Sequence, residues 1–591
     1  MQTKHFIDDP THLVHTALHS LTLTNPSVAF DLTNKIIYRR PTKELLDEPK
    51  VSIISGGGSG HEPAFAGFVG KGFLTAGVAG TIFASPNTLQ VQRAIMSRVP
   101  TEKGVLVITF NYTGDVLNFG LAAEKAKAAG VETEFFAIGD DVGVGREKGG
   151  KVGRRGIGGS ILVLKIICAL AEQGGSLSEV YNLAKKVAGN LVSVGASMEH
   201  VHVPGRENPN SDEIIPTEEI EVGMGIHNEP GSHRVSATLP ELIKIMLAQM
   251  IDPEDKDRHF VHITKQDKVV LLINNLGGVS NLEIGGVVAE VHTQLKEQWG
   301  ITPVRVIAGT FITSLNGLGF SASLLKLDDT GLGQGKSMLE LLDAPAEAFG
   351  WAAATRTATW EADNSATMDR EADSARNLSA SHLSIDPQQA HTVLKAGLDK
   401  MIVAEPEVTK YDTIVGDGDC GIGLKRGSEA VLKELSSGDL PTDAVAFVNK
   451  IVPVVEHHTD GTSGALYSIF LNALVHGLRE QDTGSSQKVD AKIWAAALKS
   501  ARAALGKYTP AVVGDRTLID ALDPFIETLS STGDVKKAAE AAKEGTEKTK
   551  TMKASLGRAV YVGAESEWMG KVPDPGAVGL QELLLGIAGA S

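Results

Sequence analysis

The first part of the chain alternates short apolar runs with helical segments and glycine-rich turns. The runs are rich in β-branched and aromatic residues, and one continues directly into Ser55-Gly56-Gly57-Gly58-Ser59-Gly60. Strands followed by glycine loops and helices are typical of α/β domains, in which ligands bind beyond the carboxyl ends of the strands. The runs that predict strands are Val51–Ser55, Val105–Phe110, Glu134–Ile138, Val269–Asn274 and Val304–Phe311.

From Ile385 onward the apolar positions follow a helical period instead. One amphipathic face has the spacing i, i+4, i+7, i+8, formed by Leu394, Leu398, Met401 and Ile402. Further helices are predicted over Gly427–Leu435, Gly464–Leu478, Ala491–Leu505, Leu518–Leu529 and Val535–Thr549. This part is therefore predicted to be all-α, with its chemistry in the loops between helices.

Residues 345–384 separate the α/β pattern of the first part from the helical pattern of the second. They are rich in Ala, Thr, Ser, Asp and Arg, and we interpret them as an extended linker that lies along one domain. A chain of 591 residues exceeds what one hydrophobic core supports. The predicted organisation is an α/β domain over residues 1–344, the linker, and a helical domain over residues 385–591.

Composition narrows the class of protein. The hydrophobic content of 42% and charged content of 22% are those of a globular protein, and a net charge of -16 with 5% aromatic residues argues against a nucleic-acid surface. Two cysteines, Cys168 and Cys420, are too few for a disulfide framework, which favours a reducing, cytoplasmic location. Neither a signal peptide nor a membrane span is predicted, because residues 1–10 have no apolar core and no apolar stretch reaches about 18 residues.

Three carboxylates, Asp412, Asp417 and Asp419, lie within eight residues, with no lysine or arginine between them. Like charges that close are unfavourable unless a cation neutralises them, and hard oxygen ligands suit Mg²⁺ or Ca²⁺. The spacing of an EF-hand is absent. A solvated Asp/Gly surface turn is the alternative, but the pattern favours metal-bridged phosphate chemistry.

Four further segments of the helical part place glycine or polar clusters at helix boundaries. Gly461-Thr462-Ser463-Gly464 precedes an apolar helix, whose free N–H groups would bind phosphate oxygens, with an ordinary N-cap as the alternative. The others are Gly514-Asp515-Arg516-Thr517, Thr551-Met552-Lys553-Ala554 with Gly557-Arg558, and Pro573-Asp574-Pro575-Gly576. With the acidic loop they predict a nucleotide-phosphate site built from helix N-termini rather than from a Walker lysine.

The α/β part carries a second kind of chemistry. His61 lies just beyond a predicted strand, His227 lies in the glycine-flanked turn 223–231, and Asp115 follows a third strand. Two histidines and a carboxylate at strand ends can supply a nucleophile with acid–base partners. Hydrogen-bonded structural histidines and metal ligation are the alternatives.

These segments together resemble the ATP-dependent dihydroxyacetone kinases of the single-chain, fungal-like type, and the resemblance spans nearly the whole chain. It implies an N-terminal α/β domain of two α/β subdomains that binds the three-carbon ketone. It also implies a C-terminal barrel of antiparallel helices that binds ATP and an Asp-chelated pair of Mg²⁺ ions. The most specific segments are Gly56–Pro63, Asn111–Gly120, Gly223–Gly231, Asn274–Gly278, Val415–Gly421, Gly514–Leu522 and Pro573–Ala577.

The resemblance also implies residue roles. His227 would form a covalent hemiaminal with the carbonyl carbon of dihydroxyacetone, while Asp115 and His61 act as base and acid on the hydroxyl to be phosphorylated. Further substrate-binding residues would be Gly58, Ser59 and Gly60. The metal ligands would be Asp412, Asp417 and Asp419. The nucleotide-binding residues would be Gly461, Thr462, Ser463, Gly464, Gly514, Asp515, Arg516, Thr551, Met552, Arg558, Asp574, Pro575 and Gly576.

Two positions depart from the family pattern. Phe110 stands where the family has a lysine, and Asp460 stands in the phosphate loop, where an acidic side chain would repel a polyphosphate unless it binds metal or turns away. The predicted function is ATP-dependent phosphorylation of dihydroxyacetone, and of glyceraldehyde, by a homodimer. The alternatives are an FAD–AMP lyase activity that forms cyclic FMN, or a regulatory member with weakened catalysis.

Overall fold

The structure, a computed structural model, describes residues 2–207, 214–352, 355, 357–363, 379–436, 438–563 and 565–591. The chain divides into two compact units, residues 1–367 and 368–591. The predicted linker, residues 345–384, lies partly outside the described residues. Its described beginning packs on the first unit, where the Glu347 N–H donates to the carbonyl of Lys71 and the Gly350 N–H to that of Gly67, both at 2.8 Å.

The described part of the first unit contains two six-stranded sheets. The strands of the first sheet are β1 (Val28–Asp31), β2 (Ile36–Arg39), β3 (Ser52–Ser59), β4 (Ala76–Ile82), β5 (Val105–Phe110) and β6 (Thr133–Ile138). Their order is β1-β2-β4-β3-β5-β6, and β4, β3, β5 and β6 are parallel. Parallel pairing brings the carboxyl ends of β3 and β5 to the same edge of the sheet.

The three strands predicted in this sheet are confirmed, but β3 continues through the glycines that were expected to form a loop. A Cβ atom at Gly56 would lie 2.2 Å from the carbonyl oxygen of Val78 on β4. Glycine therefore lets β3 approach its neighbour closely, and the turn that holds the functional residues begins only after Ser59.

The second sheet contains β7 (Leu191–Ser197), β8 (Ile220–Val222), β9 (His233–Val235), β10 (Val269–Asn275), β11 (Arg305–Gly309) and β12 (Gly319–Lys326). Its order is β11-β10-β12-β7-β8-β9, with β10 and β11 parallel and the other neighbours antiparallel. The strands predicted over 269–274 and 304–311 correspond to β10 and β11.

Helices cover the faces of both sheets. They are α1 (Pro10–Thr24), α2 (Lys43–Asp47), α3 (Thr88–Ser97), α4 (Thr113–Ala128), α5 (Arg146–Gly149), α6 (Ser160–Glu172), α7 (Leu177–Gly189), α8 (Leu239–Ile251), α9 (Asn281–Trp299), α10 (Met338–Asp343) and α11 (Thr357–Glu361). Helix α6 is buried all round from Ser160 to Ala171, and it packs in one core with residues of both sheets. Across the described residues, no helix combines the length and the apolar content needed to cross a membrane.

Within its described residues, the second unit is helical apart from one pair of two-residue strands. Its elements are β13 (Leu383–Ser384), α12 (Pro387–Val415), α13 (Cys420–Ser436), α14 (Ala444–His458), α15 (Gly461–Glu480), β14 (Gln487–Lys488), α16 (Ala491–Leu505), α17 (Ile519–Thr532), α18 (Val535–Lys548), α19 (Glu565–Trp568) and α20 (Pro575–Ala590). Each helix from α12 to α18 packs against the next, and α20 packs against both α18 and α12. The helices form a closed ring, and the predicted helices are confirmed.

The ring closes through two glycines. A Cβ atom at Gly586 of α20 would lie 2.3 Å from the carbonyl oxygen of Ala396 and 2.6 Å from Cα of Gly397, both on α12. The backbones of the two helices therefore approach more closely than any larger residue permits.

Replacing Gly586 by alanine should loosen this contact at a cost of about 1–3 kcal/mol, because the added methyl group overlaps backbone atoms of α12. Hydrogen exchange followed by mass spectrometry should show faster exchange in peptides from α12 and α20. Gly589→Ala is the matched control, since its Cβ would meet nothing within 4 Å on the same helix. Equal protection in the two variants would contradict this account of ring closure.

Candidate functional site

Two of the predicted residues lie at the edge of the first sheet that is formed by the carboxyl ends of its parallel strands. His61 follows β3 and is buried, and Asp115 lies buried in the first turn of α4, which follows β5. Since β3 and β5 are adjacent and parallel, these two side chains line one pocket.

His227 reaches the same pocket from the loop between β8 and β9 of the second sheet. The hydroxyl of Ser314 donates to the carbonyl of Ile226 at 2.7 Å and holds this loop. The Nε2 atoms of His61 and His227 are 3.0 Å apart, with the two ring planes at 87°. The structure therefore brings together the three residues that were predicted from separate segments of the sequence.

The hydrogen bonds define the protonation of His61. Its Nδ1 lies 2.8 Å from the carbonyl oxygen of Thr313, which only accepts, so the hydrogen is on Nδ1 and Nε2 faces His227. Burial and the nearby charge of His227 lower the pKa of His61 to about 3, against the opposing effect of the Thr313 hydrogen bond. His61 is therefore a neutral ring in this pocket over the physiological pH range.

Asp115 is the pocket carboxylate. Burial raises its pKa to about 6, although the Ser85 hydroxyl and the charge of His227 act in the opposite direction. Its Oδ1 atom is buried and has no hydrogen-bond partner among the described residues. Such a group is suited to exchange a proton near neutral pH.

The glycine segment before His61 shapes the wall of the pocket. A Cβ atom at Gly58 would lie 2.8 Å from the backbone nitrogen of Ala84, and Gly60 has a φ of +99°. The hydroxyl of Ser59 donates to the carbonyl of Gly80 at 3.0 Å. Gly58 and Gly60 thus permit a close approach of backbone, while Ser59 holds β3 to β4.

The sequence-based prediction gives no role to Glu229 or Tyr112 and names Phe110 only as a departure from the family pattern. Glu229 accepts a hydrogen bond from Nδ1 of His227 at 2.8 Å, and the rings of Tyr112 and His227 meet edge to face at 4.7 Å. Phe110 lines the pocket and packs edge to face on Phe65 at 4.8 Å. The aromatic side chain at this departure from the family pattern therefore gives that wall an apolar surface.

The acidic loop lies between α12 and α13 in the helical unit. Oxygen atoms of Asp412, Asp417 and Asp419 come within 4.8 Å of one another. The N–H of Cys420 donates to Oδ2 of Asp412 at 3.0 Å, and Arg558 pairs with Asp417 at 2.6 Å. Burial, followed by the charges of Asp417 and Asp412, raises the pKa of Asp419, although Arg558 opposes this. Oxygen-only ligands under mutual repulsion fit a hard divalent cation.

The N-terminus of α15 lies beside this cluster. A Cβ atom at Gly461 would be 3.5 Å from Oδ2 of Asp419, and the hydroxyl of Ser463 is 3.4 Å from Sγ of Cys420. Thr462 is exposed, and Gly464 is buried against the backbone of residue 459. Free N–H groups at a helix N-terminus thus adjoin the candidate metal ligands.

Asp460, the second departure from the family pattern, is paired. Nη2 of Arg426 lies 2.6 Å from Oδ1 of Asp460, and Nε of Arg426 donates to the carbonyl of His458 at 2.7 Å. The arginine offsets the negative charge in front of α15.

Arg516 connects the remaining predicted nucleotide segments. Its backbone φ is +62°, and its side chain is buried. The guanidinium donates to the carbonyls of Thr549 at 3.2 Å and Val572 at 2.9 Å. The guanidinium also lies 4.6 Å from the centre of the Trp568 ring. In this structure Arg516 holds the loops around residues 549 and 572 together rather than projecting into solvent.

The other predicted nucleotide-binding residues lie in the segments that Arg516 joins or adjoins. Asp574 caps α20 by accepting from the N–H of Ala577 at 2.8 Å, and burial raises its pKa to about 6. Asp515 accepts from the N–H of Val512 at 2.9 Å. Gly514 is exposed with a φ of +105°, Thr551 is exposed, Met552 is partly buried, Pro575 begins α20 and Gly576 follows it.

Two family models match the chain. The Dak1 domain matches residues 19–350, and the DAK2 domain matches residues 414–589. Dihydroxyacetone kinase of Pichia angusta is 43% identical over 610 residues, covering 100% of this chain and 99% of that protein. Triokinase/FMN cyclase of Homo sapiens is 33% identical and covers 99% of both chains.

A solved structure is similar to this chain along its whole length. The crystal structure of the dihydroxyacetone kinase from C. freundii in complex with AMP-PNP and Mg²⁺ has a TM-score of 0.63 and 28% sequence identity, and it covers 100% of both chains.

The acidic loop gives a prediction that needs no turnover assay. Asp417→Asn removes one of three repelling charges but also the partner of Arg558, so without metal the variant should be about as stable as the parent. Added Mg²⁺ should stabilise the parent, by about 2.7 kcal/mol at roughly 100 times its Kd, and should stabilise the variant much less. Thermal unfolding with and without MgCl₂ measures both effects.

Asp439→Asn, an exposed aspartate outside the cluster, is the control and should keep the full response to Mg²⁺. An equal gain for Asp417→Asn and the parent would exclude Asp417 as a ligand.

Proposed function

The chain belongs to the dihydroxyacetone kinase family, and we propose that it transfers the terminal phosphoryl group of ATP to dihydroxyacetone. A relative that matches over the full chain is named for this activity, and the similar solved structure contains AMP-PNP and Mg²⁺. The observation that carries the proposal is the 3.0 Å contact between the Nε2 atoms of His61 and His227, in a pocket that also contains Asp115.

His227 would hold the acceptor covalently. A small, strongly hydrated triose offers few groups for recognition, and a reversible bond from Nε2 to the carbonyl carbon holds it better than hydrogen bonds alone. The bond selects a ketone or aldehyde over glycerol, which has no carbonyl group. Its role is to bind and orient, because the phosphoryl group goes to a hydroxyl and not to the carbonyl carbon.

Asp115 would take the proton of that hydroxyl, and His61 would serve as the acid. The raised pKa of Asp115, about 6, leaves it ionised at neutral pH but basic enough to accept a proton. The buried Oδ1 atom, which has no partner among the described residues, is free to contact the acceptor.

The helical unit would hold the donor. Mg²⁺, as a pair of ions, would neutralise phosphate charge, with Asp412, Asp417 and Asp419 as its ligands. The N–H groups at the start of α15, from Gly461 to Ser463, would bind phosphate oxygens, whereas the N–H of Gly464 already donates to the carbonyl of Asp460 at 3.1 Å. The pairing of Asp460 with Arg426 offsets part of the repulsion expected at this loop.

Three finer features remain proposals. We expect glyceraldehyde to be a second acceptor, since it also has a carbonyl group. A homodimer is proposed on family resemblance, and a reducing, cytoplasmic location is proposed because Cys168 and Cys420 are free thiols. A relative named triokinase/FMN cyclase makes FAD cleavage the side activity to assay in parallel.

His227→Ala should raise the KM for dihydroxyacetone by roughly 100-fold, as expected from the loss of about 2.7 kcal/mol of anchoring. Binding of Mg–ATP should be unchanged, because the nucleotide residues lie in the helical unit. A coupled assay with dihydroxyacetone, glyceraldehyde, glycerol and FAD measures this. In the parent, turnover of FAD without triose phosphorylation would favour the lyase, and turnover of neither substrate would favour a regulatory protein.

The pKa of Asp115 predicts the pH dependence of phosphoryl transfer. Since the raised pKa is about 6, the base form is lost as pH falls through 6, and kcat of the parent should fall with it. Asp115→Asn should lower kcat by roughly 100- to 10,000-fold and remove this inflection, with little change in affinity for the ketone. An inflection that persists in the variant would belong to another group, such as Asp574.

A further inference from the structure

Glu229 stands two residues after His227, and its carboxylate turns back onto that residue. Oε1 accepts from Nδ1–H of the ring at 2.8 Å, and Oε2 accepts from the backbone N–H of His227 at 3.0 Å. The intervening Asn228 has a φ of +64° and exchanges two hydrogen bonds of 2.9 Å with the backbone of Val201. The backbone of the loop therefore fixes the carboxylate against the imidazole.

A second set of contacts is built around the same carboxylate. A Cβ atom at Gly225 would lie 2.0 Å from Oε2 of Glu229 and 2.6 Å from Nη1 of Arg155, so glycine provides the space that these groups occupy. Arg155 is held by Asp141 and by the carbonyl of Gly223, both at 2.6 Å. Burial acts to raise the pKa of Glu229, but hydrogen bonds from His227 and the charges of His227 and Arg155 outweigh it and hold the pKa at about 2.

These contacts determine which nitrogen of His227 can react. An ionised carboxylate only accepts hydrogen bonds, so Nδ1 of His227 carries a hydrogen. His61 also carries a hydrogen on Nδ1, which it donates to Thr313. The two Nε2 atoms, 3.0 Å apart, would repel each other as bare lone pairs. One proton between them, on Nε2 of His227 and accepted by the neutral ring of His61, satisfies both rings, and Glu229 balances the resulting positive charge.

On the basis of the proposed function, we propose that Glu229 is a positioning residue for carbonyl addition at His227. It keeps the hydrogen on Nδ1, so that Nε2 faces the substrate pocket as the attacking atom. It also remains beside the ring as the counter-ion of the positively charged adduct.

The addition step balances with these groups alone. The shared proton moves to Nε2 of His61, and the lone pair on Nε2 of His227 forms the bond to the carbonyl carbon. The electron pair of the carbonyl π bond moves to oxygen, which takes the proton from His61. The adduct ring keeps its Nδ1–H and one positive charge, opposite the negative charge of Glu229, so total charge and proton count are unchanged.

Glu229→Gln tests this role with nearly the same shape and without the charge. The glutamine NH₂ can donate to Nδ1, which favours the tautomer with hydrogen on Nε2 and blocks attack. We expect the KM for dihydroxyacetone to rise about 10- to 100-fold, the range for losing a hydrogen bond to a charged group, with a smaller change in kcat. Two spectroscopic measurements accompany the kinetics: ¹⁵N NMR of His227 reports its tautomer, and dihydroxyacetone labelled with ¹³C at C2 reports conversion of the carbonyl carbon to a tetrahedral one.

Glu221→Gln is the matched control, because Glu221 supports the same loop without touching His227. Its Oε1 accepts from the N–H of Gly231 at 2.7 Å. The control should keep the Nδ1–H tautomer and the tetrahedral C2 resonance.

Three results would count against the inference, and they separate it from the proposed function. If Glu229→Gln keeps the parent's KM and tautomer, the role of Glu229 is wrong while the proposed function stands. If Glu221→Gln loses the adduct equally, the role of Glu229 is loop support only. If the parent itself shows no tetrahedral C2 resonance, the covalent part of the proposed function fails, and this inference fails with it.

Discussion

The α/β unit depends on one set of hydrogen bonds that joins its two sheets at the pocket. The N–H of Leu315 donates to the carbonyl of Gly60 at 2.7 Å, the N–H of Thr313 donates to that of His61 at 3.2 Å, and Nδ1 of His61 donates back to Thr313 at 2.8 Å. These bonds fix the turn after β3 against the loop after β11. The same loop holds Ile226 through Ser314, so the position of each histidine depends on a segment that contributes neither of them. The 3.0 Å contact between the rings is therefore a property of how the sheets are joined, and not of either histidine loop alone.

The two units differ in how the charges and polar groups at their sites are balanced. In the pocket of the α/β unit, polar groups are buried, and hydrogen bonds satisfy them except at the groups that can react, namely Asp115 and the His61–His227 pair. In the helical unit, Asp412, Asp417 and Asp419 remain in mutual repulsion, with Arg558 as a partial counter-charge. Repulsion of this kind lowers stability without a cation and raises affinity for one. The first unit is thus suited to a neutral carbonyl compound, and the second to a metal–polyphosphate.

The sequence predicted the class of fold and the segments that carry chemistry, because both follow from local patterns. Val105–Phe110 and Val269–Asn274 are apolar enough to identify as buried strands, and Asp115 and His61 follow strand ends, where α/β sites form. Short strands such as Ile220–Val222 carry too few residues for a period to be seen. Glu229 escaped notice because an acid beside a histidine in a turn has no distinctive spacing, and Thr313 acts through its carbonyl, which any residue provides. The family resemblance places Arg516 among the nucleotide-binding residues, and its burial could not be predicted from local sequence, because it depends on Trp568 and on carbonyls more than thirty residues away.

Closure of the helical ring by α20 also has a consequence for the order of events during synthesis. The first helix of the ring, α12, packs against the last, α20, across about 160 intervening residues. Chain entropy makes contacts at such sequence separation slow to form, and they are not available until the final helix has left the ribosome. Until then α12 exposes the apolar face that α20 later covers, including the surface around Gly397. The α/β unit is synthesised first and has its own cores. A nascent chain of this protein therefore carries one folded unit and one incomplete ring. The incomplete ring is the part that a chaperone would have to protect.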